Sequence, residues 1–167
     1  IEYLLSAMLK VHNYYKDVNL IIAGAGRYYF DIDKFQSLSY IHFINRYISD
    51  NELVAMIINS EFVVCPYTDA TQSGVVMTAF TFNKPVVATN VGALPEVVVD
   101  NRYGLIVEEK NEDSLANGIM KLLGDEKLLK KFESNIYMDY CNGEKSWGEI
   151  AKKIVQVYKS IKISNRK

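Results

Sequence analysis

The segment Thr71-Gln72-Ser73-Gly74-Val75 has the composition of a loop that could hold a phosphate group. It leads directly into residues 75–82, an apolar stretch that reads as a helix. The first N–H groups of a helix have no partner within it, and the helix dipole adds partial positive charge there. Glycine at position 74 would let a ligand approach the backbone closely. The segment predicts an anion site, although similar loops also open helices that bind nothing.

A second glycine-containing loop, Gly24-Ala25-Gly26, follows the β-rich run 18–23. Ligand loops of parallel sheets lie at such strand ends. Tyr29 stands where a dinucleotide fingerprint would have its third glycine, and no acidic residue occupies the expected offset. The loop is therefore either a phosphate or base loop of another kind, or a tight turn.

The run Gly92-Ala93-Leu94-Pro95-Glu96 marks a further helix start. Glu96 there either complements the helix dipole or contacts a ligand. Neither His12 nor His42 has a partner in a nucleophilic arrangement, and the two cysteines have no metal-ligand spacing. The sequence predicts no metal site.

The elements that must position these loops alternate between strand and helix. Capping boxes, in which a Ser side chain and a Glu side chain satisfy each other's backbone donors, are predicted at Ser49/Glu52 and Ser146/Glu149. Helix 73–82 is apolar all round and is expected to be buried, and Trp147 is expected in the core. The strands are predicted at 18–23, 41–44, 62–65, 86–89 and 104–107, and the helices at 1–16, 31–38, 49–60, 73–82, 111–123, 125–140 and 146–161. This alternation predicts a doubly wound parallel α/β sheet.

Composition indicates one ordinary globular domain over residues 1–167. Hydrophobic residues make up 49% and charged residues 23%, which argues against disorder. The net charge of −1 predicts no general attraction to nucleic acid. Two widely spaced cysteines fit a reducing, cytoplasmic setting.

Two motifs carry a resemblance to a known family. The run 84–96, KPVVATNVGALPE, resembles the "GKPV-AT-VGG-PE" run of the retaining GT-B glycosyltransferases, the glycosyl transferases group 1 or glycosyltransferase-4 family. Tyr67–Val75 resembles a "Y-x-x-A-T-Q-S-G-V" variant of its donor loop, and the first and last helices resemble "K-G-I-E-Y-L-L-x-A" and "S-W-x-x-I-A". The resemblance implies the C-terminal, nucleotide-sugar-binding half of a two-domain GT-B enzyme, without the N-terminal acceptor domain.

The resemblance also implies roles for individual residues. Phe43-Ile44-Asn45-Arg46 resembles an "F-x-G-R" turn that flanks the nucleotide base, with Asn45 in place of glycine; Asn tolerates positive φ better than most residues. Arg46 is either a base contact or a solvated surface residue. The implied donor-diphosphate residues are Thr71, Ser73, Gly74 and Val75, with Gly24, Ala25 and Gly26 as a second donor loop.

The chain departs from the family pattern at two acidic positions. Most members carry glutamates where this chain has Ala70 and Thr78. Thr78 could still bond a ribose hydroxyl, though without charge. Asp69, Ala70 and Glu96 are the implied sugar-side residues, and we interpret the two losses as a subfamily trait.

The implied reaction transfers a sugar, of hexosyl type, from a UDP-sugar or GDP-sugar with retention of configuration and without a further cofactor. The acceptor, a glycan or lipid-linked molecule, would be held by the missing domain, in glycan or polysaccharide biosynthesis in the cytoplasm or at the inner face of the membrane. This chain alone is expected to be inactive. The alternatives are a sugar-nucleotide epimerase or phosphorylase of the same fold, and a non-catalytic nucleotide-sugar-binding module.

The resemblance begins after the position of the family's first strand. In a 3-2-1-4-5-6 order that strand lies in the middle of the sheet. Its absence would leave strands 19–23 and 62–65 beside an empty position, each with an unpaired backbone edge. We expect either that these two strands pair directly, or that a strand or helix of another chain fills the position in a dimer.

Overall fold

The computed structural model describes the backbone of residues 1–164 and the side chains of residues 1–161. The strands are β1 (Leu20–Ala23), β2 (Ile41–Ile44), β3 (Val63–Cys65), β4 (Val86–Thr89) and β5 (Gly104–Val107). The helices are α1 (Glu2–Tyr14), α2 (Asp33–Gln36), α3 (Asp50–Ile58), α4 (Gly74–Thr81), α5 (Leu94–Val98), α6 (Glu112–Gly124), α7 (Glu126–Ile136) and α8 (Trp147–Ser164), with a π-helical turn at Tyr137–Cys141 after α7. The predicted alternation of strand and helix is confirmed.

All strand pairs are parallel, but they form two sheets. One sheet pairs β1 with β2, with Leu20 opposite Ile41. The other has the order β3-β4-β5, with Val63 opposite Val86 and Val86 opposite Gly104. The strand sequence β2-β1, then β3-β4-β5, is that of a doubly wound sheet interrupted between β1 and β3. The parallel α/β fold class is therefore confirmed.

The interruption decides one of the two expectations about the sheet. Within the part of the chain that the structure describes, β1 and β3 share no backbone ladder, so the expected direct pairing is wrong. Both sheets pack on the same helical layer, because side chains of α1 and α6 form one core that Leu20 and Ile22 of β1 and Val64 of β3 contact. Filling of the position by another chain stays a prediction.

Two clusters of buried side chains cover both faces of the three-stranded sheet, and one of them also covers one face of the β1-β2 sheet. One cluster joins α1, α6 and α7 and contains Leu5, Val11, Val87, Ile119 and Phe132. The other joins α4, α5 and the segment before β5, with Phe80, Leu94 and Tyr103 among its members. Burial at about 25 cal/mol per Å² of apolar surface makes these clusters the main stabilising feature of the domain.

Local signals fixed most helix ends. Ser49 and Glu52 form the predicted reciprocal capping box at the start of α3. Asn83 has a φ of 59° and ends α4 in the left-handed conformation that Asn tolerates. The second predicted box is half formed, because Ser146 Oγ accepts from the Glu149 N–H while the Glu149 carboxylate pairs with Lys152 instead.

Two burial predictions are wrong. Helix α4 buries Val76, Ala79 and Phe80, whereas Val75 and Met77 are each 41% exposed, because only one side of the helix packs against other elements. Trp147 is 75% exposed rather than in the core. It opens α8, along which no side chain from 151 to 161 is buried, so an amphipathic pattern in sequence did not guarantee a packing partner within these residues.

Candidate nucleotide-sugar site

The predicted site residues follow the carboxyl ends of four parallel strands. Residues 24–26 come after β1, 45–46 after β2, 69–75 after β3 and 92–96 after β4. The structure joins them in two pairs: the loops after β1 and β2 contact each other, and so do those after β3 and β4. Among the described residues no hydrogen bond links the two pairs, which belong to different sheets.

The start of α4 has the geometry of an anion site. Ser73 is the N-cap, and its Oγ accepts from the Val76 N–H at 3.4 Å and lies 3.2 Å from the Tyr67 hydroxyl. In the described structure the N–H groups of Gly74 and Val75 have no hydrogen-bond partner. Gly74 and Val75 are both exposed, and a Cβ placed on Gly74 would meet no atom within 4 Å. Free N–H donors and the positive end of the helix dipole therefore lie together at an exposed helix start, which is the arrangement that binds an anion.

The loop after β4 holds the loop after β3 in place. Gly92 has a φ of 51°, and a Cβ there would lie 1.7 Å from the Ala70 carbonyl oxygen. The Ala93 N–H donates to the Thr71 carbonyl at 3.3 Å. Glycine at 92 is thus required by the positive φ and by the close approach of Ala70. This contact places Ala70 and Thr71 beside Ala93.

A residue that the sequence analysis did not single out also fixes this region. Thr89 is buried at the end of β4, and its hydroxyl donates to the Tyr67 carbonyl at 2.6 Å. It therefore ties β4 to the chain that leads into the anion loop. The signal was a single polar residue ending the apolar run Val86-Val87-Ala88, but its partner could only be seen in the fold.

The residues implied for the ribose and the sugar differ in exposure and in the hydrogen bonds that they already make. The Thr78 hydroxyl donates to the Gly74 carbonyl at 2.9 Å, which leaves its oxygen as an acceptor for a ribose hydroxyl. Asp69 and Glu96 are exposed, and Ala70 is half-buried. Glu96 lies in the first turn of α5, after Pro95.

Asn45 and Arg46, the implied base contacts, are both engaged within the protein. The Asn45 carboxamide makes two hydrogen bonds to the backbone of Gly26. The expected reason for Asn45, a positive φ, is wrong, because Asn45 is not among the positive-φ residues of the described chain and its side chain does the bonding instead.

The Arg46 guanidinium makes a two-point contact with the Glu52 carboxylate, at 2.6 and 3.1 Å, and donates to the Tyr47 carbonyl. This guanidinium, followed by the Ser49 donors, lowers the pKa of Glu52 to about 2. The planar face of Arg46 stays available for stacking, since the side chain is 56% exposed. Its donors, however, are largely used by Glu52.

A shallow groove of about 450 Å³ lies beside Asn45. Its lining includes Gly26, Tyr28, Asp31 and Gln36. An aromatic ring next to carboxylate and amide groups is a lining that could accept a flat polar ring. Tyr28 and Gln36 were not predicted from the sequence, since no motif marks them.

A parallel α/β domain with glycine loops at its strand ends and an open anion site at a helix start defines a class of nucleotide-binding domains. Residues 1–125 match the family "Glycosyl transferases group 1". The chain belongs to this family of glycosyltransferases, as the motifs at 67–75 and 84–96 predicted.

Relatives in sequence and in structure agree. Two uncharacterised glycosyltransferases of Methanocaldococcus jannaschii are each 32% identical to the chain, over 122 residues (71% of this chain, 34% of the relative) and 171 residues (95% and 41%). The chain thus spans about a third to two-fifths of these relatives.

Among solved structures, the C-terminal domain of a glycosyl transferase group 1 protein from Francisella tularensis is similar with a TM-score of 0.70 and 24% identity, covering 81% of this chain and 74% of that one. Anabaena HepE in complex with UDP-glucose is similar with a TM-score of 0.75 and 17% identity, covering 95% of this chain and 44% of that one. These likenesses show that the fold is that of GT-B Rossmann-like domains.

The described residues contain no helix with the length and apolar character needed to cross a bilayer. They also contain no group of His, Cys, Asp and Glu side chains that could hold a metal ion.

Proposed function

We propose that residues 1–167 form one domain that binds a nucleoside-diphosphate sugar, as the donor half of a retaining glycosyltransferase. The observation that carries the proposal is the pair of amides of Gly74 and Val75, which have no hydrogen-bond partner in the described structure and lie at the exposed start of α4. They lie in the loop whose sequence resembles the family's donor loop. A similar fold in HepE was solved with UDP and with UDP-glucose, which supports a UDP-sugar as the first donor to test.

The donor would lie along the carboxyl edge of both sheets. Its diphosphate would accept hydrogen bonds from the Gly74 and Val75 amides, with Thr71 and Ser73 shaping the loop. Gly24–Gly26 and Arg46 would lie toward the base, and Thr78 would accept from a ribose hydroxyl. The sugar would be near Asp69, Ala70 and Glu96.

These residues support chemistry at the departing group. When the bond between the anomeric carbon and the diphosphate breaks, negative charge grows on the diphosphate oxygen. Amides that already point at that position stabilise the charge without reorganisation, which is the usual source of a large rate effect. The acceptor would be a glycan or lipid-linked molecule held by a further domain, and we expect no sugar transfer by this chain alone.

The experiment compares two glycine substitutions. Gly74→Val should abolish measurable binding of UDP and GDP in titration calorimetry, because its side chain would occupy the space in front of the amides, while thermal unfolding stays nearly unchanged. Gly148→Val is a matched control, since Gly148 also lies in the first turn of a helix and a Cβ there also meets no atom within 4 Å. Equal affinity in wild type and Gly74→Val would contradict the placement of the diphosphate.

A further inference from the structure

Asn45 makes a two-point contact that no backbone group supplies at this place. Its Oδ1 accepts from the Gly26 N–H at 3.0 Å, and its Nδ2 donates to the Gly26 carbonyl, also at 3.0 Å. The last backbone bond between the neighbouring chain segments is Gly24 N–H to the Ile44 carbonyl at 3.1 Å. Beyond that bond the Asn45 side chain, and not a backbone group, pairs with the backbone N–H and C=O of Gly26.

The contact determines which amide of the loop a ligand can use. The Gly24 N–H donates to the Ile44 carbonyl at the end of β2, and the Gly26 N–H donates to the side chain of Asn45, the next residue. Of the three N–H groups in Gly24-Ala25-Gly26, only that of Ala25 lacks a partner in the described structure. The bonds of the two glycines hold the peptide groups on either side of the one that carries the Ala25 N–H, so they restrict how that peptide group can turn.

We propose that Asn45 is a positioning residue that holds Gly24-Ala25-Gly26 so that the Ala25 amide is presented to the donor. The inference rests on the proposed function of the chain as a nucleotide-sugar-binding domain. It assigns Asn45 an indirect role, through the loop, instead of a direct contact with the base. The carboxamide suits this role because it is the smallest side chain group with a donor and an acceptor side by side.

Two variants separate the effect of the hydrogen-bond donor of the Asn45 side chain from that of its hydrogen-bond acceptor. Asn45→Ala removes both hydrogen bonds, and Asn45→Asp keeps an acceptor for the Gly26 N–H but has no hydrogen for the Gly26 carbonyl at neutral pH. Asn19→Ala is the matched control. Asn19 also joins β1 to β2, through Oδ1 at 3.1 Å from His42 Nε2, but it does so at the opposite end of the strands.

The test measures amide hydrogen exchange at Gly26 by NMR, thermal unfolding, and the affinities for UDP and GDP. We expect Asn45→Ala to speed exchange of the Gly26 N–H and to weaken nucleotide binding, each roughly five- to tenfold for the loss of two exposed hydrogen bonds. Asn45→Asp should retain more Gly26 protection than Asn45→Ala. Asn45→Ala and Asn19→Ala should each lower the unfolding temperature by a small and similar amount. Asn19→Ala should leave Gly26 exchange and the nucleotide affinities unchanged.

Three results would overturn the inference. Unchanged Gly26 exchange in Asn45→Ala would show that the two bonds do not hold the loop. Faster exchange with unchanged nucleotide affinity would show that the loop is held but that this does not serve the donor. If wild type binds neither nucleotide, the proposed function fails and the positioning role with it, and the exchange data then report only on the loop contact.

Discussion

The two sheets are built from strands that look alike in sequence but are buried to different degrees. In β4, Val86, Val87 and Ala88 have no exposed surface. In β1, which reads Leu-Ile-Ile-Ala, exposure alternates and Ile21 is 50% exposed. Strand β4 lies between β3 and β5, whereas β1 has a paired strand on one edge only in the described structure.

The loops at the strand ends differ in the same way. The loops after β3 and β4 contact each other through backbone groups, with Gly92 against the Ala70 carbonyl and Ala93 bonded to Thr71, and the Thr89 hydroxyl adds a bond to Tyr67. Beyond the last backbone bond at Gly24, the loops after β1 and β2 contact each other through a side chain, Asn45 on Gly26. The difference teaches that burial follows from what packs on the two faces of a sheet, not from the apolar character of the strand itself, since among the described strands β5 also has a paired strand on one edge only and still buries Leu105 and Val107.

The largest expected effect comes from Gly92→Ala. The new Cβ would lie 1.7 Å from the Ala70 carbonyl oxygen at a φ of 51°, so the loops after β3 and β4 must separate. We expect a loss of roughly 3 kcal/mol of unfolding free energy in urea titrations and loss of nucleotide binding. Gly26→Ala, in the other pair of loops, meets no atom within 4 Å and should cost well under about 1 kcal/mol. Similar losses for both would refute the contrast between the loops.

Changing one strand residue in each sheet tests the burial difference directly. Val87→Thr puts a hydroxyl of equal size into a fully buried position and should cost about 1–3 kcal/mol of unfolding free energy. Ile21→Thr, at a half-exposed position, should cost less than about 1 kcal/mol. Chemical denaturation of both variants gives the comparison. If Ile21→Thr proves the costlier change, then the face of β1 that carries Ile21 is covered in solution, and the burial contrast between the two strands is wrong.

The smallest effect concerns pH and the Arg46–Glu52 pair. The guanidinium and the Ser49 donors lower the pKa of Glu52 to about 2, below its ordinary value of 4.5. A lowered pKa in the folded state means that the carboxylate stabilises the protein above pH 4.5 and loses this contribution as the pH falls to about 2.

Glu52→Gln should therefore lower stability slightly at pH 6 and make no difference near pH 2. Urea midpoints of wild type and variant at several pH values measure this. Because the pair is exposed, the effect should shrink further in high salt. A gap between the two proteins that widens toward pH 2 would contradict the assignment.

Much of the fold and of the candidate site could be predicted from the sequence because the signals are local. Apolar runs predicted the five strands, and Ser49 with Glu52 marked a helix start that the structure confirms. The motifs at 67–75 and 84–96 predicted the family. Such features depend on residues only a few positions apart, so they can be recognised in the sequence without knowledge of the fold.

The tertiary structure alone decided how these elements meet. It interrupted the sheet between β1 and β3, left Val75, Met77 and Trp147 exposed, and joined Asn45 to Gly26 and Thr89 to Tyr67. Each of these outcomes depends on residues distant in sequence or on whether a neighbouring surface is present. A periodic pattern states which face of an element is apolar, but only packing decides whether anything covers that face and which atoms of a polar side chain are already used.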